Sequence, residues 1–558
     1  MAASVHSSSS QISIDSDPQL LLGPVDTEST QISGTPLKES KCTMVPRKQR
    51  RGLLGQFVIL PEYSDARDYP NAFKSVIVFI VSLSAITGPM GVSIMMPALE
   101  DIVTELHTST RVVNISVGTY VLSFGVFPMW WSLCSERYGR RTAFLISFSL
   151  FFGFSFGTAL TPNIAGLIIF RILQGGCSAS AQALGAGIIA DLYVPQERGK
   201  AMGYYFLGPL CGPFLAPIIG GAVAQGWGWR ATQWVLVIVS GFNTFLIMFF
   251  LPETLRQGEA PLASTQHDRE VHDDGEVQDD VEPVADPYLQ TLSRVSTGKS
   301  LYSLHVRNAT SCMSTKGTTF SWWDPIYNML VRPLHSLVLF RHPPVALVIG
   351  YSGIMFSVIF FINMTITYEY SRFPYNMSPI IIGLLYIPNS VAYILASMIG
   401  GRWNDHFLKK YAREHNGEIR PESRISWNVA IAVSMFPPAC LIFGWCLDTK
   451  QHWVVPLVGT TLFGFASMII MGTTATYLVD SLPGKGATGN AMNNLVRQCL
   501  AAVAIFVAEP ALVGVGPGIL FSILAGILFA ANIFLLILKR KGDHFRDTSR
   551  LPKLYEKL

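Results

Sequence analysis

Twelve long segments of the sequence contain almost no Asp, Glu, Lys or Arg. A helix that crosses a bilayer needs roughly 20 mostly apolar residues, and most of these segments approach or exceed that length. They predict membrane-spanning helices at residues 73–97, 112–133, 142–160, 164–190, 201–223, 231–251, 344–368, 379–401, 425–447, 452–479, 488–508 and 516–538. Only 14% of the residues are charged, against about a quarter in an average soluble domain. The pattern excludes a soluble enzyme, a secreted disulfide scaffold and a disordered chain.

A long hydrophilic segment, acidic between Asp268 and Glu282, divides these helices into six plus six. We expect a disordered cytoplasmic N-terminal tail over residues 1–72 and a first six-helix half over 73–251. These are followed by a cytoplasmic central loop over 252–342, a second six-helix half over 343–540 and a cytoplasmic C-terminal tail over 541–558. The basic run at residues 47–51 leaves open the alternative that the N-terminal tail touches anionic lipid.

The two halves have the pattern of a duplication. A small residue is followed four positions later by an acid and then by bases, at Ser132 and Glu136 after the second helix and at Gly401 and Asp405 after the eighth. Two such halves are typical of transporters that bind substrate near the midplane, between the halves. The predicted fold class is an all-α membrane protein with twelve transmembrane helices in two six-helix halves. Lys and Arg concentrate in alternate short loops, which predicts that both termini are cytoplasmic.

Two charged residues in or next to predicted spans are candidates for a role in transport. Arg171 is the only charged residue of the fourth span, and a lone Arg near a helix centre costs about 2.5–3.5 kcal/mol on insertion scales. We expect its guanidinium to face a water-filled cavity and to hold a substrate or tune a proton carrier; the alternative is that it snorkels to the outer interface. Glu509 is a candidate proton carrier, because burial disfavours the charged form of a carboxyl group. Its alternative is a solvated glutamate at the outer end of the eleventh span.

Other polar and aromatic residues of the spans are candidates to line a substrate cavity. They are Gln174, Asn363, Tyr386, Asn389, Asn494 and Arg497. In the fifth span small residues recur every four positions, at Gly208, Gly212, Ala216 and Gly220. Such spacing lets helices approach closely in lipid, so a purely structural packing role is the alternative to a functional one.

No set of catalytic residues emerges from the sequence. It has no G-x-x-x-x-G-K-[ST] phosphate loop, no nucleophile elbow and no His or Cys cluster at metal spacing. The chain is therefore predicted not to be an enzyme, and no metal or cofactor is implied.

Residues 132–141 resemble the loop signature G-x-L-a-D-R-x-G-R-[RK] of the major facilitator superfamily. Ser132 replaces the usual Gly and Glu136 the usual Asp. The resemblance implies that this loop and the end of the fourth span gate the conformational change, through Glu136, Arg137, Gly139, Arg140, Arg141, Asp191 and Arg198. The stretch from Ala190 to Met202 is similar to fungal quinidine-resistance and dityrosine transporters, and residues 251–255 resemble the segment that closes the first half in fungal members.

Two motifs narrow the resemblance to the twelve-span drug:proton antiporter branch. The stretch from Leu167 to Gly176 is similar to the fourth-span motif associated with proton transfer, with Arg171 and Gln174 at motif positions. The fifth span is similar to the antiporter motif G-x8-G-x3-G-P-x2-G-G, at Gly203, Gly212, Ala216, Pro217, Gly220 and Gly221, where Ala216 replaces a Gly. The family's symporters generally lack the fifth-span motif.

The resemblance covers residues 73–540 and implies a monomeric, proton-driven exporter of drugs or metabolites in the plasma membrane, or in a vacuolar or other internal membrane. Its implied partners are a small-molecule substrate, protons and the lipid bilayer, with no nucleic acid and with a proton gradient as the energy source. One alternative is an exporter dedicated to a single metabolite, such as an organic acid, a polyamine or a secondary metabolite. A nutrient symporter or a non-transporting sensor is a further alternative.

Overall fold

The structure is a computed structural model that describes residues 44–255, 332–414, 421–425, 427–482 and 486–548. Most of the predicted N-terminal tail, the centre of the predicted central loop and the end of the predicted C-terminal tail lie outside the described residues. Gly401 and Asp405 belong to a described helix, but the Asp405 side chain lies outside the described part of the structure.

The described chain is almost entirely helical. Its first half forms α1 (Asn71–Ser93), α2 (Leu99–Glu105), α3 (Thr110–Val126), α4 (Pro128–Tyr138), α5 (Arg140–Leu160), α6 (Ile164–Leu192), α7 (Pro195–Trp227) and α8 (Trp229–Phe250). Its second half forms α9 (Pro343–Tyr370), α10 (Pro379–Leu384), α11 (Ile387–Glu414), α12 (Trp427–Asp448), α13 (Val455–Ser481) and α14 (Gly486–Thr548).

The described helices account for the twelve predicted spans. Ten candidate spans are long and apolar enough to cross a membrane, and α3 with α4, bent by 42°, makes the eleventh. The candidate Thr488–Gly542 is 55 residues long, more than twice the roughly 20 residues that one crossing needs. Its backbone leaves the helical region at Gly516 (φ 78°, ψ 162°), so α14 holds the eleventh and twelfth spans. The predicted fold class is confirmed.

Each half is held together by its own helix pairs. In the first half α1 packs on α7, α3 on α6, and α5 on α6 and α8. In the second half α9 packs on α14, α12 on α13 and α14, and α11 on α13. The halves meet mainly where α3 contacts α14 and α7 contacts α10. The half interface therefore follows the second and eleventh spans and the fifth and eighth spans.

The two ends of the helix bundle differ in their charged residues. The end where α4 finishes, which we call the basic face, carries Arg137, Arg140, Arg198, Arg413 and Arg424. The other end, which we call the opposite face, carries Glu100, Arg111, Arg230, Arg372 and Glu509.

Residues 44–69 are folded, which corrects the expected disordered tail for this part of the chain. Strand β1 (Met44–Val45) pairs antiparallel with β2 (Glu62–Tyr63), and Arg51 Nε forms an ion pair of 2.6 Å with Glu62 Oε1. The Ile59 backbone N–H donates to the Phe249 carbonyl at the end of α8, over 2.7 Å. The apolar residues of this N-terminal segment are too few for a span, but they suffice to cover the first half at its basic face.

Candidate functional site

Arg171 of α6 is fully buried inside the first half. Its Nη1 donates to the Gly91 carbonyl of α1 over 2.8 Å and to Gln174 Oε1 over 3.1 Å. The guanidinium also lies 4.2 Å from the centroid of the Tyr120 ring on α3, a cation–π contact. A snorkelling side chain would reach the interface instead. The structure therefore contradicts that alternative and shows a cation held by three helices of one half.

Gln174 extends the buried group around Arg171. Its Nε2 donates to Ser155 Oγ of α5 over 2.8 Å, and it is fully buried. From its sequence position, Gln174 is predicted to line the substrate cavity. The structure places it in the interior of the first half, because a spacing of three residues puts it on the same helix face as Arg171.

Glu509 lies at the opposite face, in a cleft between the two halves. Its side chain is 14% exposed and its carboxylate lies 3.9 Å from Arg111 Nε of α3. A second ion pair crosses the same cleft, from Arg372 Nη2 to Glu100 Oε1 of α2, at 3.2 Å. Among the described residues, Arg171 and Glu509 share neither a hydrogen bond nor an ion pair. The candidate proton carrier and its candidate modulator therefore occupy separate places.

A polar group joins the two halves near the membrane midplane. Gln182 Nε2 of α6 donates to Asn494 Oδ1 of α14 over 3.1 Å, and Arg497 Nη2 donates to the same oxygen over 3.3 Å. The Arg497 guanidinium lies 5.0 Å from the centroid of the Phe356 ring on α9. Phe356 is at the middle of its span, Gln182 and Arg497 are about one helical turn from the middle of theirs, and Asn494 is about two turns away. We call Gln182, Phe356, Asn494 and Arg497 the midplane cluster.

The remaining cavity candidates lie in or beside α9–α11. The Tyr386 hydroxyl is within hydrogen-bonding distance of Thr367 Oγ1, at 3.0 Å, and donates to the Asn363 carbonyl over 2.9 Å. It also lies 3.8 Å from Met96 Sδ of the first half, so Tyr386 and Asn363 are at the half interface. Asn389 is buried and packs against Gly464 of α13, inside the second half.

The glycines of the fifth span separate into two groups. A Cβ on Gly208, Gly212 or Gly220 would meet backbone atoms of α1 or of the residue that follows it. A Cβ on Gly221 would instead meet the Pro379 carbonyl of α10, and one on Gly203 would meet nothing within 4 Å. Ala216 is fully buried. Close approach therefore explains most of these small residues, and Gly221 serves the contact between the halves.

The gating loop at the basic face is held by Arg140. Its Nε forms an ion pair of 3.0 Å with Asp191 at the end of α6, and its Nη1 donates to Ser135 Oγ over 2.7 Å. Glu136 and Arg137 are exposed. The acid of the loop signature is therefore outside this network in the described state, and Asp191 provides the carboxylate.

Arg141 and Arg198 bond to backbone carbonyls at the same face. Arg198 Nη2 donates to the Ala190 carbonyl over 3.0 Å. Arg141 is fully buried, and its guanidinium donates to the carbonyls of Leu53, Leu54, Ile247, Met248 and Leu251. A cation at the C-terminal end of a helix interacts favourably with the helix dipole. Arg141 therefore ties the N-terminal segment to the end of α8.

Glu253, just after α8, completes this network. Its Oε1 accepts hydrogen bonds from the backbone N–H groups of Arg140 at 2.8 Å and of Thr254 and Leu255 at 3.0 Å. Its Oε2 accepts from the Arg141 N–H at 3.2 Å. Burial raises the pKa of the Glu253 carboxyl, and the four N–H donors offset part of that rise. Glu253 caps the start of α5 and joins it to the end of the first half.

Glu253→Ala is expected to destabilise the first half, whereas Glu253→Gln is expected to be mild. Alanine leaves four backbone donors without their partner, and a buried donor left unpaired costs about 1–3 kcal/mol. Glutamine keeps an Oε1 atom, which accepts three of the four bonds. Thermal unfolding of the purified protein measures the difference. An equal melting temperature for the alanine variant and the wild type would contradict the capping role.

Four residues that hold these sites together were not predicted from the sequence. Gln182 is a polar residue near the middle of a span, which is the signal that selected Asn494. Glu253 stands at the end of the first half, where only the resemblance marked its segment. Tyr120 and Phe356 belong to a chain in which 11% of residues are aromatic, so their positions gave no signal.

Comparison with known proteins agrees with the two-half architecture. The model of the Major Facilitator Superfamily matches residues 81–506. A solved structure of a D-xylose-proton symporter superposes with a TM-score of 0.56 at 16% identity, and the match covers 83% of this chain and 97% of that protein. At that identity the likeness concerns the fold alone.

Two curated relatives are similar over nearly the whole chain, and a third over two thirds of it. The MFS antiporter QDR3 of Candida albicans is 48% identical, over 93% of this chain and 85% of the relative. Quinidine resistance protein 3 of Saccharomyces cerevisiae is 43% identical, over 92% of this chain and 89% of the relative. The MFS transporter OpS2 of Beauveria bassiana is 36% identical, over 67% of this chain and 98% of the relative.

Proposed function

The chain belongs to the major facilitator superfamily, and we propose that it is a drug:proton antiporter. It exports drugs, other xenobiotics or metabolites by alternating access and uses the entry of protons as its energy source. It is a transporter of small molecules and not an enzyme. Each proton that enters contributes about 2.3 kcal/mol per 100 mV of membrane potential, before any pH gradient is added.

The identity of 48% over 93% of the chain with a protein named an antiporter carries this proposal. A second relative, 43% identical, is named for quinidine resistance. These names favour the antiporter over an exporter of one metabolite, a symporter or a sensor. The placement of buried charge supports it, since ionisable groups inside membrane helices mark substrate and proton pathways by default.

The described contacts between the halves support a state that is closed at the opposite face. Two ion pairs, Arg111–Glu509 and Glu100–Arg372, and the close approach of Gly221 to α10 all join the halves there. Export requires these contacts to break, so that the midplane cluster becomes accessible from that face. We infer that the opposite face is the one that releases the substrate.

We further propose the orientation and the membrane of this multi-pass protein. The concentration of Arg residues at the basic face supports a cytoplasmic position for that face, and with it for both termini. The plasma membrane is the proposed location, with a vacuolar or other internal membrane as the alternative. The transporter works as a monomer, because each two-half unit contains its own half interface.

Proton flux in liposomes tests the antiporter. The full-length protein is reconstituted with a pH-sensitive dye inside, a proton gradient is imposed, and quinidine, other cationic drugs, polyamines and organic acids are added in turn. We expect proton flux that depends on the added compound and is lacking in liposomes without protein. A folded protein that gives no flux with any compound would contradict the proposal.

A further inference from the structure

Arg497 is a partly buried cation without a carboxylate partner among the described residues. Its Nη2 reaches Asn494 Oδ1, and its Nε is buried with no hydrogen-bond partner. A guanidinium has five N–H donors in a rigid fork that matches a carboxylate. Most of that donor capacity is unused by the described residues, at a point on the half interface where a substrate would bind.

The neighbours of Arg497 add a second requirement on a ligand. Asn494 Oδ1 already accepts from both Gln182 and Arg497. Gln182 Oε1 and Gln498 Oε1 are buried without a donor, and Gln498 packs against Gly125 of α3. The cluster therefore offers free donors beside free acceptors. A ligand that fits it carries an acidic group and, close to it, an N–H or O–H group.

Phe356 forms the apolar side of the midplane cluster. Its ring contacts the Arg497 guanidinium, and an aromatic face beside a cation suits a planar ligand ring. Arg171 cannot provide this site, because its contacts lie inside the first half. Glu509 cannot provide it either, because twelve residues of helix separate it from Arg497, a rise of about 18 Å.

We propose that the midplane cluster binds the acidic group of the exported compound, and that the substrate class is aromatic organic anions with a nearby hydrogen-bond donor. The inference rests on the proposed function, since it presupposes a transporter whose substrate reaches the midplane. An anion that leaves a cell with a negative interior moves with the membrane potential. Proton entry and anion exit then drive the exchange in the same direction.

Three compounds with one indole ring and different head groups test the charge preference. Indole-3-acetate is an anion, indole-3-acetamide is neutral and tryptamine is a cation. Binding to the purified full-length protein is measured by calorimetry. We expect indole-3-acetate to bind at least about tenfold more tightly than the other two, the smallest effect of a charge-assisted bond.

Variants assign the preference to Arg497. Arg497→Gln is expected to lower the affinity for indole-3-acetate about tenfold and to leave that for indole-3-acetamide unchanged, while Arg497→Lys keeps part of the preference. Arg540→Gln, an exposed arginine near the end of α14, is the charge-matched control and should bind as the wild type does. If Arg497→Gln does not fold, the inference is tested by the order of the three affinities in the wild type and in Arg497→Lys. Indole-3-acetate should bind most tightly to both proteins.

Several results would overturn the inference. They are equal or tighter binding of tryptamine, no binding of indole-3-acetate at millimolar concentration, and an affinity for indole-3-acetate that Arg497→Gln leaves unchanged. Proton flux with a cationic drug, in a protein that binds no indole-3-acetate, would support the antiporter and contradict only the proposal that its substrates are anions. Lack of proton flux with every compound would instead count against the antiporter itself.

Discussion

Glu509→Gln is expected to abolish substrate-driven proton flux while the protein still folds and binds its substrate. Glu509 lies in the cleft between the halves at the opposite face, with its carboxylate 3.9 Å from Arg111 Nε and its side chain 14% exposed. Glutamine has nearly the same size and polarity but cannot bind and release a proton. The variant would therefore lose proton transfer and keep the fold of the transporter.

The charged groups around Glu509 connect that proton to opening of the cleft. Arg111 faces it from α3, Glu100 from α2 and Arg372 from the turn after α9, and Glu100 and Arg372 form the second ion pair across the halves. Protonation of Glu509 removes one of the two ion pairs. A proton that arrives from the opposite face would thus weaken the closed state at the time when the substrate is to be released.

Liposome flux with the dye inside measures this effect, and substrate binding by calorimetry reports folding. Glu105→Gln is the matched control, because Glu105 pairs with Arg230 at the same face but within the first half. The control should transport as the wild type does. Wild-type flux in Glu509→Gln would assign the proton to another group and contradict the proposed role.

The sequence predicted the spans because their cause is local. Segments without charge must lie in lipid or in a core, and their lengths match a bilayer. The break at Gly516 falls at the predicted boundary between the spans 488–508 and 516–538. The folded N-terminal segment depends on tertiary contacts instead. The Ile59 backbone N–H bonds to the Phe249 carbonyl across nearly 200 residues of sequence, and an apolar run too short for a span does not show which part of the chain it packs against.

Individual residues of the candidate sites could be predicted from the sequence, but which of them contact one another could not. A lone charge in or at the end of a span identified Arg171 and Glu509, since the cost of burying it demands a compensating role. Arg497 is predicted only to line the cavity, from its deeper position on the same span as Glu509. The sequence did not show that the contacts of Arg171 lie within one half, whereas Arg497 lies at the interface between the halves. In the sequence, Arg171 and Arg497 are each a single arginine in an apolar segment. Only the packing of α3, α6, α9 and α14 shows that their surroundings differ.

Gly221→Ala is expected to prevent tight closure at the opposite face and to reduce transport strongly. A Cβ there would meet the Pro379 carbonyl and lie 3.0 Å from Ile380 Cα, and a Cβ on Gly383 would meet the Pro217 carbonyl in return. Backbone atoms cannot move aside as a side chain can. Overpacking of this kind costs about 1–3 kcal/mol, which corresponds to a shift of roughly 5- to 150-fold in the equilibrium between closed and open states.

A reporter cysteine separates a shifted equilibrium from simple misfolding. Asn114→Cys lies in the cleft beside Glu509, at a position that is 2% exposed in the closed state. In the Gly221→Ala background a membrane-impermeant maleimide should modify it faster than in the parent protein. Gly226→Ala, on the same helix with nothing within 4 Å of its Cβ, should change neither labelling nor transport. Because both alanines add the same methyl group to the same helix, equal labelling and equal flux in the two variants would show that the approach of α7 to α10 does not hold the cleft closed.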